Sequence, residues 1–212
     1  MAGSVTKPVL YGADYSVYVR IARMALEEKG IDYGLVPLDI FAADGIPAWY
    51  LEHHPFGRIP AFEHDGFRLF ETSAIARYVD EAFDGPALQP ADARGRARMG
   101  QIIGMLDAYA YRAMVWDVAV ERLEKATPDE NLVADGLRRA ETVLKVLASL
   151  KAEGPWLLGD QLTLADLHAA PIIGYFVKVA EGRELLARFA DISDWYGRIA
   201  ARRSFARTEK VG

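Results

Sequence analysis

The sequence predicts an α+β fold in two domains, a small mixed sheet with helices followed by an all-helical domain. Strand-like apolar runs alternate with helical patterns in residues 1–85, whereas the apolar segments from residue 93 onward have helical spacing. A length of 212 residues is enough for two modest cores. Residues 86–92 contain the prolines expected of a linker, so we predict domains at 1–85 and 93–212.

The first half of the N-terminal domain is predicted to be β-α-β. Residues 7–12 are a short apolar run that ends in glycine, as expected of a strand. From Ser16 the apolar residues recur at helical spacing until Gly30, and residues 33–38 predict a second strand. The stretch 39–54 is predicted to be irregular because glycine and proline interrupt it.

The second half of this domain is predicted to be β-β-α. Residues 59–63 and 68–70 are strand candidates, and His64-Asp65-Gly66 between them is typical of a hairpin turn. A helix is predicted from Thr72 onward, where the apolar spacing changes from two to between three and four.

The C-terminal domain is predicted to contain three longer helices and shorter pieces from Arg183 onward. The longer helices are placed at residues 94–126, 130–150 and 164–180, the last of them buried. Thr163 and Asp166 have the spacing of a capping box, which we interpret as a start signal for that buried helix.

Composition narrows the possible functions. A net charge of −5 argues against nucleic-acid and membrane partners, and the absence of cysteine excludes disulfides, Cys-ligated metals and a protein thiol nucleophile. The four histidines lack metal-ligand spacing, so no metal is expected. No signal-peptide pattern opens the chain, and we therefore expect a cytoplasmic protein.

Three places in the first domain permit both a structural and a functional interpretation. Ser16 is suited to capping the first helix, or to donating its hydroxyl to a thiolate at the positive end of that helix. Pro60 marks a sheet edge, a strand start or a cis turn. Glu71-Thr72-Ser73 opens a helix, where Thr72 or Ser73 is suited to capping and Glu71 to pairing with a ligand ammonium. The spacing alone favours the structural interpretations.

In their order along the chain, three blocks resemble the glutathione transferase family over nearly the full length. The segment LYGADYS at residues 10–16 resembles the one that leads from the first strand to the serine in serine-type classes. The segment LEEKGIDY at 26–33 matches the usual end of the first helix. The block PFGRIPAF at 55–62, with LFETSAI at 69–75, looks like the phi-class pattern, and GDQLTLAD at 159–166 matches the helical-domain signature. The chain is thereby identified as a cytosolic, serine-type, phi- or theta-like bacterial member.

This resemblance implies a thioredoxin-like N-terminal domain that binds glutathione as co-substrate, and it assigns roles to residues. Ser16 becomes the donor to the glutathione sulfur and Phe56 the aromatic key of a homodimer. The implied glutathione-binding residues are Arg58, Ile59, Pro60, Glu71 and Thr72. The sequence departs from the family pattern where Thr72 replaces serine, Arg58 replaces glutamine, and Gly45-Ile46 replace a His-Lys pair.

The expected activity is attack of the glutathione thiolate on a small apolar electrophile. The residues predicted to contact that electrophile form a stripe of the long helix: Met105, Tyr109, Arg112 and Trp116. Two alternatives stay open, a non-catalytic binding or scaffold protein of the same fold and a glutathione-dependent isomerase or dehalogenase. A thiol oxidoreductase is disfavoured because the chain has no cysteine.

Overall fold

The structure is a computed structural model that describes residues 7–209. The described chain divides into two compact units, one containing residues 7–86 and 206–209 and the other containing residues 87–205. Each unit contains its own apolar core. Residues 7–85 fall in the first unit, and residues 93–205 fall in the second.

The first unit is built on a four-stranded mixed sheet in the order β2-β1-β3-β4. The strands are β1 (Val9–Tyr11), β2 (Gly34–Val36), β3 (Ala61–His64) and β4 (Phe67–Phe70). Strand β1 pairs in parallel with β2 and antiparallel with β3, and β3 pairs antiparallel with β4. The predicted order of strands is therefore confirmed, although each strand is shorter than or shifted from its predicted range.

The first unit also contains two helices, α1 (Val17–Glu28) and α2 (Thr72–Ala82), which pack against each other. Their apolar faces supply most of the core of this unit, because residues such as Ile21, Met24, Ile75 and Val79 are almost fully buried. The stretch predicted to be irregular contains one short 3₁₀ helix, Ala48–Glu52. Asp65 and Gly66 have positive φ angles of 50° and 77°, as a tight hairpin turn requires.

A buried ion pair joins the ends of α1 and α2. The Nζ atom of Lys29 lies 3.2 Å from Oδ1 of Asp80 and also donates to the backbone oxygens of Asp80 and Pro86. The two side chains are 3% and 6% exposed, so removal of either partner would leave an uncompensated buried charge. This ion pair stabilises the contact between the C-terminal ends of α1 and α2.

Residues 206–209, at the end of the described chain, pack on the first unit. Arg23 on α1 donates to the backbone oxygens of Arg207 and Thr208, and Arg20 donates to the Thr208 hydroxyl. Thr208 is fully buried and Arg20 is 8% exposed. These contacts, between residues more than 180 positions apart in the chain, explain why residues 206–209 group with the sheet.

The second unit is all helical. Its long first helix, α3, runs from Ala93 to Glu124 in three successive segments, α-helical Ala93–Met105, π-helical Leu106–Val120 and α-helical Glu121–Glu124. The remaining helices are α4 (Glu130–Leu150), α5 (Leu164–Phe176), α6 (Ala180–Ala187), α7 (Ala190–Ala200) and α8 (Arg203–Arg207). Helix α5 is buried along nearly its whole length, as predicted, but it ends at Phe176 and not at Ala180.

Asp166 organises the start of α5. Its carboxylate accepts hydrogen bonds from the backbone N–H groups of Thr163 and Leu157, from the Thr163 hydroxyl and from Nε1 of Trp195, each at 2.8 or 2.9 Å. Asp166 and Trp195 are fully buried. Burial raises the pKa of Asp166, whereas these four donors favour its ionised form. The predicted start signal therefore also connects α5 to the preceding loop and to α7.

Within the described residues, no helix is long and apolar enough to cross a membrane.

Candidate functional site

Ser16 caps α1. Its φ and ψ angles of −75° and 125° are extended, and its Oγ accepts a hydrogen bond of 3.3 Å from the N–H of Val19. A hydroxyl that accepts this bond keeps its own hydrogen for donation, because it has one donor and two acceptor positions. Capping and donation to a ligand are therefore compatible. The first turn of α1, which lies in the described chain, contains no acidic residue, so nothing there offsets the positive helix end.

Two tyrosines precede Ser16 within five residues, and both are poorly suited to replace it. The Tyr15 hydroxyl donates to Oδ1 of Asp39 at 2.7 Å, and burial together with this contact raises the pKa of Tyr15 strongly. Burial and the charge of Glu63 also raise the pKa of Tyr11. The hydrogen of Tyr15 is thus already engaged, which leaves Ser16 as the better donor. The sequence did not indicate the Tyr15–Asp39 contact.

Replacement of Tyr15 with phenylalanine tests this assignment. We expect the variant to keep activity within about threefold, because the hydroxyl of Tyr15 serves Asp39, and to lose about 1 kcal/mol of stability with that hydrogen bond. Initial rates and thermal unfolding of the two proteins measure both effects. A loss of activity of two orders of magnitude would instead identify Tyr15 as the donor.

The peptide bond between Ile59 and Pro60 is cis, as the resemblance implied. Ile59 is 8% exposed and lies two residues before β3. Within residues 7–209, neither the N–H nor the carbonyl of Ile59 has a hydrogen-bond partner. Because buried backbone groups are almost always paired, this residue is suited to pairing with an extended ligand.

The segment before Ser16 approaches Ile59 closely. A β-carbon on Gly12 would lie 2.4 Å from Cγ2 of Val19 and 3.4 Å from Cβ of Ile59. Only glycine therefore fits between α1 and the turn before β3 without a shift of the neighbouring atoms. This close packing brings the start of α1 and the unpaired backbone of Ile59 to the same end of the central strands β1 and β3.

Glu71 and Thr72 lie at the start of α2. Glu71 has a φ angle of 69°, which is unusual for a residue with a side chain and is typical of functional positions. Its side chain does not cap the helix, and the described chain provides its carboxylate with no ion pair. Thr72 is 6% exposed. The first N–H groups of α2 and the Glu71 carboxylate are thus suited to the two charges of an amino acid.

Arg58 is exposed, and no carboxylate pairs with it among the described residues. Its carbonyl accepts a hydrogen bond of 2.6 Å from the hydroxyl of buried Tyr50, which holds the main chain at the residue before Ile59. Ile46 packs nearby, since its Cδ1 lies 2.6 Å from the position of a β-carbon on Gly57. Position 46 therefore contributes an apolar contact, and Arg58 is the cation of this turn.

The residues predicted to contact the electrophile lie on α3 in the second unit. Tyr109 is 66% exposed and the Arg112 side chain 64%, whereas Met105 and Trp116 are half-buried. The predicted stripe assumed α-helical spacing, but Tyr109, Arg112 and Trp116 lie in the π-helical segment. Residues five apart then adjoin, as the 2.7 Å ion pair between Arg112 and Asp117 illustrates, so the spacing of three and four does not define one face.

The structure places Phe56 on the surface of the first unit, with 72% of its area exposed. His54, for which the sequence suggested no role, is buried beside it, with its ring centroid 6.3 Å from that of Phe56. In the part of the chain that the structure describes, no group of three or more His, Asp or Glu side chains could hold a metal ion.

Two family models match the chain. The model described as "Glutathione S-transferase, N-terminal domain" matches residues 10–87, and that described as "Glutathione S-transferase, C-terminal domain" matches residues 117–198. Glutathione S-transferase F13 of Arabidopsis thaliana is 28% identical over 202 residues, which is 92% of each chain. This plant relative supports a phi-class-like relationship without indicating a bacterial subgroup.

Solved structures agree with these matches. The apo form of glutathione S-transferase III superposes with a TM-score of 0.83 at 30% identity, covering 96% of this chain and 95% of that one. Glutathione S-transferase I with bound lactoylglutathione superposes with a TM-score of 0.84 at 25% identity, covering 96% and 98%. A thioredoxin-like domain followed by a helical domain is thereby confirmed as the fold.

Proposed function

Because the chain belongs to the glutathione S-transferase family, we propose that it ionises the thiol of glutathione and transfers the thiolate to a small apolar electrophile. The observation that carries this proposal is the hydroxyl of Ser16 at the positive end of α1. Gly12, four residues before this serine, packs against Ile59, whose backbone is unpaired in the described chain. A thiol reacts as its thiolate, so a donor at this point would supply the rate enhancement.

We propose that glutathione pairs with the backbone of Ile59 in antiparallel fashion, and this pairing sets the direction of the tripeptide. If the cysteinyl residue pairs with Ile59, the following glycine lies beside Arg58 and the γ-glutamyl residue lies on the side of Pro60. Phe70, which pairs with Ala61, leads directly into Glu71 on that same side. The cationic Arg58 would then attract the terminal carboxylate, and Glu71 would attract the ammonium group.

Both ends of this site carry charges that have no partner in the described chain. A free arginine at one end and a free carboxylate at the other complement a ligand with the opposite order of charges. Arg58→Ala should weaken glutathione binding about fivefold through loss of an exposed charge contact, whereas Arg77→Ala on the exposed face of α2 should leave it unchanged. Titration calorimetry measures both affinities.

The reaction requires no further cofactor. The thiol proton leaves to solvent, the sulfur lone pair forms a carbon–sulfur bond with the electrophile, and the displaced group departs with its bonding electrons. Ser16 would stabilise the thiolate through a hydrogen bond without becoming a nucleophile itself. We further propose Met105, Tyr109, Arg112 and Trp116 as candidates for electrophile binding, and the exposure of Tyr109 and Arg112 supports a role at a surface.

We also propose that the protein is a cytoplasmic homodimer, in which Phe56 inserts into the partner subunit. The 72% exposure of this phenylalanine supports the proposal, since large apolar side chains at the surface often mark interfaces. Analytical ultracentrifugation of Phe56→Ala tests the dimer, which we expect to dissociate at concentrations where the unchanged protein stays dimeric.

A difference spectrum tests the proposed function directly. Glutathione is added to the protein at increasing pH, and the ultraviolet absorbance of the thiolate is followed. We expect the bound thiol to ionise about one to two pH units below its free value of about 8.5, because Ser16 and the helix end favour the anion. Binding without a shift would favour a non-catalytic binding protein, and the absence of binding would overturn the proposal.

A further inference from the structure

His54 is a buried histidine that contacts residues at both ends of the proposed glutathione site. Its exposure is 3%, and its Nδ1 atom has no hydrogen-bond partner in the described part of the chain. A buried polar atom without a partner costs about 1–3 kcal/mol, so such a position requires an explanation. The contacts of His54 with the turn before Arg58 and with Phe70 indicate the role of this position.

The main chain of His54 builds the turn that leads to Arg58 and Ile59. Its N–H donates to the carbonyl of Tyr50 at 2.9 Å, and its carbonyl accepts from the N–H of Gly57 at 2.9 Å. The Tyr50 hydroxyl in turn donates to the carbonyl of Arg58. The conformation of this turn therefore depends on His54 and Tyr50 together.

The ring of His54 reaches the other end of the site. Its centroid lies 4.9 Å from that of Phe70, the residue immediately before Glu71. Glu71 has the strained φ angle of 69°, so its conformation depends on the packing around it. The ring of His54 thus packs beside the start of α2, whereas its main chain forms the turn that leads to Arg58.

The groups around the imidazole favour its neutral form. Burial lowers the pKa of His54, the carboxylate of Glu71 opposes this effect, and Arg58 adds to it. Tyr50, from the 3₁₀ helix, is itself neutral because burial raises its pKa. Acid is thus required to charge His54, and Glu71 is the carboxylate that would attract the resulting imidazolium.

We propose that His54 is a positioning residue that makes glutathione binding sensitive to pH. The neutral imidazole leaves the Glu71 carboxylate available for the ligand ammonium, whereas the imidazolium formed in acid attracts that carboxylate away from the ligand. The inference rests on the proposed function, since it assigns Glu71 to the γ-glutamyl end.

The sign of the effect follows from the lowered pKa. A histidine whose folded pKa lies below its ordinary value of 6.5 stabilises the fold above that pH, and the contribution is lost as the pH falls through the folded pKa. The affinity for the ligand should fall in the same acid range. Above pH 7 His54 has no effect on binding through its charge.

The test uses S-methylglutathione, which has no thiol proton, so that Ser16 does not contribute to the pH profile. We expect its affinity, measured by titration calorimetry, to be about tenfold lower at pH 5 than at pH 7.5 because His54 becomes charged. In His54→Asn the decrease should be less than about twofold. His64→Asn is the matched control: His64 is also buried, but its ring contacts Tyr78 and Asp65 at the far end of β3. That variant should keep the tenfold decrease.

A pH-independent affinity of the unchanged protein, or an equal decrease in His54→Asn, would overturn the inference. If His54→Asn does not fold, Glu71→Gln provides the second test, because it retains His54 and removes the carboxylate; binding should be weaker at every pH but no longer pH-dependent. A decrease that persists in Glu71→Gln would also overturn the inference. If S-methylglutathione binds at no pH, the proposed function itself is wrong.

Discussion

Replacement of Ser16 with alanine is expected to lower kcat/KM for glutathione conjugation about 100-fold, the usual effect of removing one donor from a developing or bound anion. If Ser16 donates to the thiolate as proposed, the variant keeps only the helix end as a source of positive charge, so the pKa of bound glutathione should rise toward its free value. Stopped-flow rates with an activated aryl halide and the thiolate absorbance measure these two effects. An unchanged thiol pKa would contradict the role of Ser16.

Ser16 also caps α1, and a second variant separates the two roles. Loss of a serine N-cap to alanine costs about 1 kcal/mol, whereas glycine at the same position costs only a few tenths. Ser16→Gly should therefore be as inactive as Ser16→Ala but nearly as stable as the unchanged protein. Thermal unfolding of the three proteins provides the comparison. If Ser16→Gly instead kept the activity of the unchanged protein and only the less stable Ser16→Ala lost it, the serine would act through its helix cap alone.

Replacement of Asp166 with alanine is expected to lower the free energy of unfolding by about 4 kcal/mol, since it leaves several buried donors without an acceptor. The N–H groups of Leu157 and Thr163 and the indole N–H of Trp195 all donate to this carboxylate. Asp166 is fully buried, so water does not replace the lost bonds. Urea unfolding followed by tryptophan fluorescence measures the change.

Asp194 provides the control for this experiment. It lies on α7, one residue before Trp195, but it is exposed, so Asp194→Ala should change stability by less than about 0.5 kcal/mol. If Asp166→Ala were as mild as Asp194→Ala, the loop, α5 and α7 would not depend on the carboxylate.

The two experiments address different units of the chain. Ser16 belongs to the first unit and should affect chemistry more than stability, whereas Asp166 belongs to the second and should affect stability first. Among the alternatives that the sequence left open, a binding protein without turnover predicts no activity in the unchanged protein. A glutathione-dependent isomerase or dehalogenase would use the same thiolate, so only its choice of electrophile would differ.

Much of the fold was predictable because its signals are local. Helix α1 has its cap at Ser16 and a regular apolar face, and the β3–β4 hairpin has Asp65-Gly66 at its turn. The buried character of α5 followed from its continuous apolar sequence and from the capping pair Thr163 and Asp166. Such features depend on neighbouring residues, which a single sequence presents directly.

The π-helical segment of α3 was not predictable in this way. Its apolar residues fit α-helical spacing, so the sequence predicted one continuous α-helix at 94–126. The wider turn at Leu106–Val120 brings Arg112 beside Asp117, and Arg139 of α4 pairs with the same buried carboxylate at 2.7 Å. The pair with Arg139 joins two helices that are separate in sequence, and such a contact is not visible in local spacing.

The sequence by itself determined the family, the order of elements and the candidates Ser16, Pro60 and Glu71, because each depends on a short motif or a regular spacing. Only the tertiary structure decided that Tyr15 is engaged by Asp39, that His54 lies between the turn at Arg58 and the start of α2, and that residues 206–209 pack on α1. These contacts join residues far apart in the chain. Their free energies depend on burial and on the charges brought together by folding, which no local pattern contains.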